Sequence, residues 1–316
     1  MKTIIAADIG GTNARFKAFE TDGQKLFPGG DIRFPTKGVA SFEELMEQLT
    51  ASPFPLKATR ADMFALALAG PVQGGVYCSP PNIGWAVDMG AFSRHSGISN
   101  YILLNDFTAQ AYACRTSIID KAITVLPGKA QPDGVMAVLG AGTGLGKAIL
   151  TPDGAGGYLV LASEGGHGLF PFAGEPEFRL QRFIMNRTGL SQVIWEHVVS
   201  GPGLSHIHAF LTGKEVSPAE VAAHAAKHTA TLQWASRFYA RACRNFALEA
   251  LATGGVVISG GVAAKNPDLV LNDTFRKEFL YCDTHGELIA DIPVLLNIKE
   301  DTGLWGAAFA AMLRLN

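Results

Sequence analysis

The sequence predicts an α/β protein of two lobes, each built on a βββαβα unit, facing each other across a cleft. Three observations carry this reading. Two glycine turns with threonine at their centre, one in each half of the chain, follow apolar runs: Ile4-Ile5-Ala6-Ala7-Asp8-Ile9-Gly10-Gly11-Thr12-Asn13 and Val135-Met136-Ala137-Val138-Leu139-Gly140-Ala141-Gly142-Thr143-Gly144-Leu145-Gly146. Strand-like and helix-like patterns alternate throughout, with no repeat array and no low-complexity segment. A length of 316 residues supplies a full core and room for two lobes.

Each element has its own justification. Strands are expected over 3–9 and 14–19, so the first glycine turn is the bend of a β-hairpin. A helix starts at Ser41, where Ser41-x-x-Glu44 forms a capping box and Phe42, Leu45, Met46 and Leu49 share one face. Met63–Leu68 reads as a buried strand ending at Gly70-Pro71, and Asp88 caps a short helix that stops at Gly97. Tyr101–Leu104 is a strand that delivers Asn105-Asp106 to its carboxyl end, and a helix from about 107 to 117 follows. The pattern restarts at 135 with the second hairpin, whose return strand is Lys147-Ala148-Ile149-Leu150. Helices are then expected at 175–188, 191–199 and 203–212, after a capping box at Ser217–Glu220, and from 231 to 253. Strand 256–259 enters a third turn, Ser259-Gly260-Gly261-Val262, and strand 293–297 precedes a closing helix over 302–314. This order places residues 1–107 with 302–316 in a small lobe and 108–301 in a large one.

Composition narrows the function classes. Hydrophobic residues make up 48% and charged residues 17%, which is the balance of a well-covered globular protein. A net charge of −2, a pI near 6.4 and scattered Lys and Arg argue against a nucleic-acid partner. No apolar stretch spans a membrane, and the start of the chain, with Asp8, Arg15 and Lys17, does not resemble a signal peptide. Cys78, Cys114, Cys243 and Cys282 are far apart and without a CxxC pair, so they read as buried thiols in a reducing cytoplasm.

The glycine turns point to an anion. Such turns present backbone N–H groups, and missing Cβ atoms allow close approach. The second turn is not a Walker A loop, because Ala141 stands where the leading Gly belongs and Ala148 where Ser or Thr belongs. The dinucleotide fingerprint fails as well, at Leu145. Two strand-fed turns form a clamp for the phosphates of one nucleotide, or else two structural bends. Asp8, at the lip of the first turn, is placed either to orient a metal through its waters or to close an Asx turn with Thr12 or Asn13. Asp106 serves equally as a helix cap or as a base. Glu164 and His167, in Ser163-Glu164-Gly165-Gly166-His167-Gly168, are too few for a structural zinc site and suit the hydroxyls of a polyol. Glu196, alone, reads as a solvated helix residue, and His224 and His228 as surface histidines on a helix.

The whole chain resembles the bacterial glucokinases of the hexokinase–actin–heat-shock-chaperone ATPase superfamily. Six motifs in order carry the resemblance: Asp8–Arg15, Leu104–Ala109, Gly140–Gly146, Glu164–His167, Ser200–Leu204 and Ser259–Val262. The resemblance implies an actin-like, ribonuclease H-like fold and transfer of phosphate from ATP to the 6-hydroxyl of glucose with Mg²⁺, the first step of glycolysis, in a cytoplasmic homodimer. It implies that Asp106 is the catalytic base and that Asn82, Asn105, Asp106, Glu164, His167 and Glu196 hold the sugar. It assigns Asp8, Gly10, Gly11, Thr12, Asn13, Gly142, Thr143 and Gly144 to the phosphates, with Asp8 reaching Mg²⁺ through water, and Gly260-Gly261 to the adenosine. Trp85 lies in the loop that would close over the sugar. The Cys-rich zinc motif of the related repressor–open-reading-frame–kinase group is absent, so the resemblance gives His167 no zinc. The alternatives are a kinase of another hexose or amino sugar and a catalytically silent sugar sensor on the same scaffold.

Overall fold

The computed structural model describes residues 1–223 and 229–316; His224 and His228 lie outside the described residues. The chain forms two compact units, Met1–Asp120 with Glu300–Asn316, and Lys121–Lys299. The first unit therefore extends past the boundary expected at 107. The reason is that the helix after Asn105 packs along the terminal helix, Thr302–Leu315, which also lies on the first sheet.

In the first unit, β1 (Lys2–Ile9), β2 (Asn13–Thr21) and β3 (Leu26–Pro35) form an antiparallel meander. Beside β1 run β4 (Met63–Leu68) and β8 (Tyr101–Asn105), both parallel to it, giving the order β3-β2-β1-β4-β8. Helix α1 (Phe42–Ala51) covers one face: Phe42, Leu45, Met46 and Leu49 pack with Ile5, Ala7, Phe64 and Leu66. Its Ser41 hydroxyl accepts from the Glu44 N–H at 3.2 Å, as the capping signal predicts. Every residue of β4 is buried, because the terminal helix covers the other face. Three short strands, β5 (Val72–Gln73), β6 (Tyr77–Cys78) and β7 (Val87–Asp88), form a small sheet before α2 (Met89–Ser96). Asp88 caps α2 through the Ala91 N–H, and Gly97 ends it in the left-handed region. Helix α3 (Asp106–Ala113) is shorter than expected and passes into a 3₁₀ turn at Ser117–Lys121.

The second unit repeats the scheme. After β9 (Ile123–Leu126) come β10 (Met136–Ala141), β11 (Leu145–Pro152) and β12 (Tyr158–Ser163), an antiparallel meander like the first. With β13 (Gly255–Ser259) and β14 (Val294–Asn297) the order is β12-β11-β10-β13-β14, and β9 is added antiparallel at the far edge. The duplicated βββαβα architecture expected from the sequence is thus present in both sheets. Helices α4 (Gly174–Thr188), α5 (Gly201–Thr212), α6 (Pro218–Ala223) and α7 (Thr229–Glu249) follow β12 in the chain. Short helices α8 (Gly261–Lys265), α9 (Asp273–Leu280) and α10 (Gly286–Asp291) lie between β13 and β14. Arg241 of α7 joins three helices, pairing with Glu177 of α4 at 2.7 and 3.0 Å and with Glu278 of α9 at 2.9 Å.

Two further expected helices differ. Residues 191–199 are not an α-helix. Gly189 ends α4 in the left-handed region, Phe170 N–H donates to the Val193 carbonyl at 3.0 Å, and only a 3₁₀ turn, Trp195–His197, remains. Helix α7 stops at Glu249, since Leu251 takes a φ of 47°. Cys78, Cys114 and Cys243 are buried free thiols, whereas Cys282 is half-buried. Among the described residues no helix is long and apolar enough to cross a membrane.

Candidate active site

The first hairpin bends tightly at Gly10–Thr12. Gly10 N–H donates to the Asn13 carbonyl at 2.9 Å, and Thr36 fastens the outside, its N–H on the Thr12 carbonyl and its hydroxyl on that of Gly10. Among the described residues, no protein acceptor takes the N–H groups of Gly11 and Thr12. A Cβ at Gly11 would stand 2.7 Å from Cβ of Asn82, so only glycine lets the 80–85 loop pack on the turn. That loop is anchored by Trp85, whose indole N–H donates to the Val39 carbonyl at 3.0 Å. Asn13 accepts from Arg33 Nε at 2.8 Å.

Asp8 lies on β1 directly opposite Arg15 of β2. Arg15 is held in turn by Glu300, donating to its carbonyl at 2.8 Å. Burial raises the Asp8 carboxyl above the usual range, and the Arg15 charge pulls part of the way back. Oδ2 sits 2.9 Å from where a Cβ on Gly303 would be, so the carboxylate rests on the first turn of the terminal helix. The Asx turn considered for Asp8 is not formed: among the described residues, neither Thr12 nor Asn13 bonds its carboxylate.

At the end of β8 two neighbouring side chains meet the start of α3. Asn105 is the cap of α3, its Oδ1 accepting from Phe107 N–H at 2.9 Å and Thr108 N–H at 3.2 Å. Its Nδ2 donates to the Gly70 carbonyl at 3.1 Å. Asp106 is the first helical residue and accepts from the Phe107 N–H at 2.9 Å. Cys78 is packed nearby. Its thiol is pushed up to about 11, by burial first and by the Asp106 charge second.

The second unit gathers a different set. At the second hairpin Gly142 N–H donates to the Gly144 carbonyl at 2.9 Å, and Gly201 N–H, opening α5, donates to the Gly142 carbonyl at 2.8 Å. Gly142 and Thr143 are exposed, and among the described residues the Thr143 N–H meets no protein acceptor. A Cβ on Gly144 would meet Glu196 Oε2 at 2.5 Å, which places that carboxylate against the hairpin. His167 lies between two acids, with Nε2 3.5 Å from Glu164 and Nδ1 3.8 Å from Glu196. Among the described residues no group of three or more His, Cys, Asp or Glu side chains could hold a metal ion. Gly260 lies against the end of β10, where an added Cβ would stand 2.7 Å from the Ala141 carbonyl oxygen. Gly261 opens α8 with open space around it.

The expected residues thus fall into two sets. Asp8, Gly10–Asn13, Asn82, Asn105 and Asp106 belong to the first unit, and Gly142–Gly144, Glu164, His167, Glu196, Gly260 and Gly261 to the second. Glu196 is carried by a 3₁₀ turn, not by the helix expected for it. Its neighbour His197 has a lowered pKa, chiefly from burial, and its Nδ1 accepts from the Ile194 N–H at 3.3 Å. Sequence reasoning missed Arg15 as the charge facing Asp8, although the strand alternation of a hairpin places the two opposite. It also passed over Lys147, a lysine inside an apolar strand, which turns out to be buried beneath the Glu164–His167 turn.

Comparison with known proteins completes the picture. The glucokinase family model matches residues 5–314. The glucokinase of Pseudomonas paraeruginosa is 33% identical over 328 aligned residues, covering 99% of this chain and 93% of the relative. The crystal structure of a glucokinase from an Antarctic psychrotroph is similar over all of both chains, with a TM-score of 0.85 at 26% identity. A ROK family glucokinase from Streptomyces griseus, solved with glucose and AMPPNP, shares the fold at a TM-score of 0.65 and 20% identity, covering 99% of this chain and 100% of that one. On a family match across residues 5–314 and a full-length relative at 33% identity, this chain belongs to the glucokinase family.

Proposed function

We propose that the protein transfers the γ-phosphoryl group of ATP to the 6-hydroxyl of glucose, giving glucose 6-phosphate, and that Asp106 is the general base. The division of labour at the end of β8 supports this most directly. Asn105 supplies the cap of α3, so Asp106 is not needed for that role. Position N1 of a helix suits an anionic side chain. Asp106 accepts the proton of the 6-hydroxyl as that oxygen attacks phosphorus in line. The open N–H groups at Gly11, Thr12 and Thr143 donate to phosphate oxygens. Glu164, His167, Glu196 and the remaining N–H of the Asn105 amide pair with ring hydroxyls, and Asn82 closes over the sugar. Gly260-Gly261, without side chains, leaves backbone to face the adenosine.

Asp8 fits a Mg²⁺ ion: a carboxylate raised by burial, faced by one arginine, gains by meeting a second cation. With no multi-residue metal cluster among the described residues, phosphate oxygens and water would supply the other ligands. When bound, Mg²⁺ spreads charge between the β- and γ-phosphates. A cytoplasmic homodimer acting at the first step of glycolysis is the setting that the family resemblance implies.

The decisive assay is ADP release from Mg-ATP across glucose, fructose, mannose and an amino sugar, with the product identified. Glucose 6-phosphate formed well above the other products supports the reading; no turnover with any hexose sinks it. Asp106→Asn is expected to lower kcat by about 10²- to 10⁴-fold with glucose affinity retained. Wild-type turnover in that variant would remove Asp106 from the base role.

A further inference from the structure

Lys147 is 2% exposed, a lysine enclosed in the core of the second unit. It follows the second hairpin on β11, opposite Ser163 of β12. Ser163 leads into the Glu164–His167 turn, and its hydroxyl accepts from the Gly165 N–H at 3.1 Å. The lysine stem runs directly under that turn: a Cβ on Gly165 would stand 3.2 Å from Lys147 Cδ and 3.6 Å from Nζ. The ammonium group then ends between two aromatic faces, 5.2 Å from the ring centre of Trp195 and 4.9 Å from that of Phe246. Trp195 immediately precedes Glu196. One side chain therefore touches both segments that carry Glu164, His167 and Glu196.

No ion pair calls for a cation here. Among the described residues no carboxylate lies within ion-pairing distance of Nζ. Burial lowers the pKa of the lysine, against a weaker opposing pull from Glu249 and Cys243 on α7. An apolar side chain of the same length would fill the space without a desolvation cost. A buried cation with no ion pair, whose stem and head touch a polar site on two sides, points to that site.

We propose that Lys147 is a positioning residue for the sugar. Laid between the floor of the Glu164–His167 turn and the face of Trp195, it sets the spacing of Glu164, His167 and Glu196, and through them the affinity for the sugar. Its contacts are with the Glu164–His167 turn, Ser163, Trp195 and Phe246, so the phosphoryl-transfer step should not depend on it. The inference rests on the sugar-binding roles proposed above.

The test is Lys147→Met beside the wild type, with glucose and ATP kinetics, glucose calorimetry and thermal unfolding. The expected result is a KM and Kd for glucose raised about tenfold, about 1.4 kcal/mol of sugar binding. ATP KM and kcat should stay within about twofold, the signature of lost ground-state binding. Tm should hold or rise. An unchanged glucose KM in an active variant overturns the role of Lys147 and leaves the glucokinase reading standing. A variant that unfolds, or melts several degrees lower, makes Lys147 a structural residue and also overturns it. A wild type that neither turns over nor binds glucose fails earlier, at the sugar site itself, and takes this inference with it.

Discussion

Replacing Asp8 with Asn removes a charge that the fold holds under strain. Burial raises its carboxyl pKa, so the native state binds that proton more tightly than the unfolded chain does. The stability it contributes is complete below the unfolded value and is lost as pH rises through the raised native value. At pH 7 the ionised group therefore weakens the free protein. Asp8→Asn should raise Tm in the absence of ligand, by about 2–4 °C for each kcal/mol relieved, while Mg-ATP turnover falls. A lower Tm would mean that the Arg15 contact outweighs burial. Asp8, Asp106 and the Glu164/His167 pair stood out in the sequence as candidates, since few residue types suit that chemistry, and their roles are the proposal above. Which of Asn105 and Asp106 caps the helix was not legible there, because the choice depends on where two backbone N–H groups point. Lys147 was read only as the first residue of the return strand of the second hairpin. Its environment comes from Trp195 and Phe246, residues far along the chain.

At the scale of elements, the joint between α3 and the terminal helix depends on one missing methyl group. A Cβ on Gly306 would lie 1.7 Å from the carbonyl oxygen of Ala109. Gly306→Val should therefore cost about 3 kcal/mol or more by overpacking, read as a marked fall in Tm, whereas Ala at the open Gly261 should leave Tm nearly unchanged. If both variants melted alike, the close approach would not be a determinant of stability. Elements with local signals were read correctly: the capped helices α1 and α2, the buried β4 and both hairpins. The missed elements lack such signals. Strand β3 carries Pro28-Gly29-Gly30 and is mostly exposed, so it shows no alternation. The stretch at 191–199 has apolar spacing that suits a helix, but its backbone pairs with Leu169 and Phe170 instead, a contact between segments that no local pattern records.

For the whole molecule, the recurrence of one strand order in both sheets was inferred from two turns and an alternation, and each sheet confirms it. The sixth strand of the second sheet was not foreseen, because Ile123–Leu126 is short and joins from the edge. Glucose at about 100 times its Kd should stabilise the protein by roughly 2.7 kcal/mol, seen as a concentration-dependent rise in Tm that galactose or buffer does not reproduce. A sugar-independent Tm would speak against a formed glucose site. The first unit also contains a lag in time. Its sheet is made before the second unit, yet the helix that covers one face of it, Thr302–Leu315, is made after. The second unit is contiguous and can fold as it emerges. During synthesis, then, the strand bearing Asp8 waits with Ile4, Ala6, Ala65 and Ala67 uncovered while some 180 residues of its neighbour are translated. The half of the protein written first is finished second.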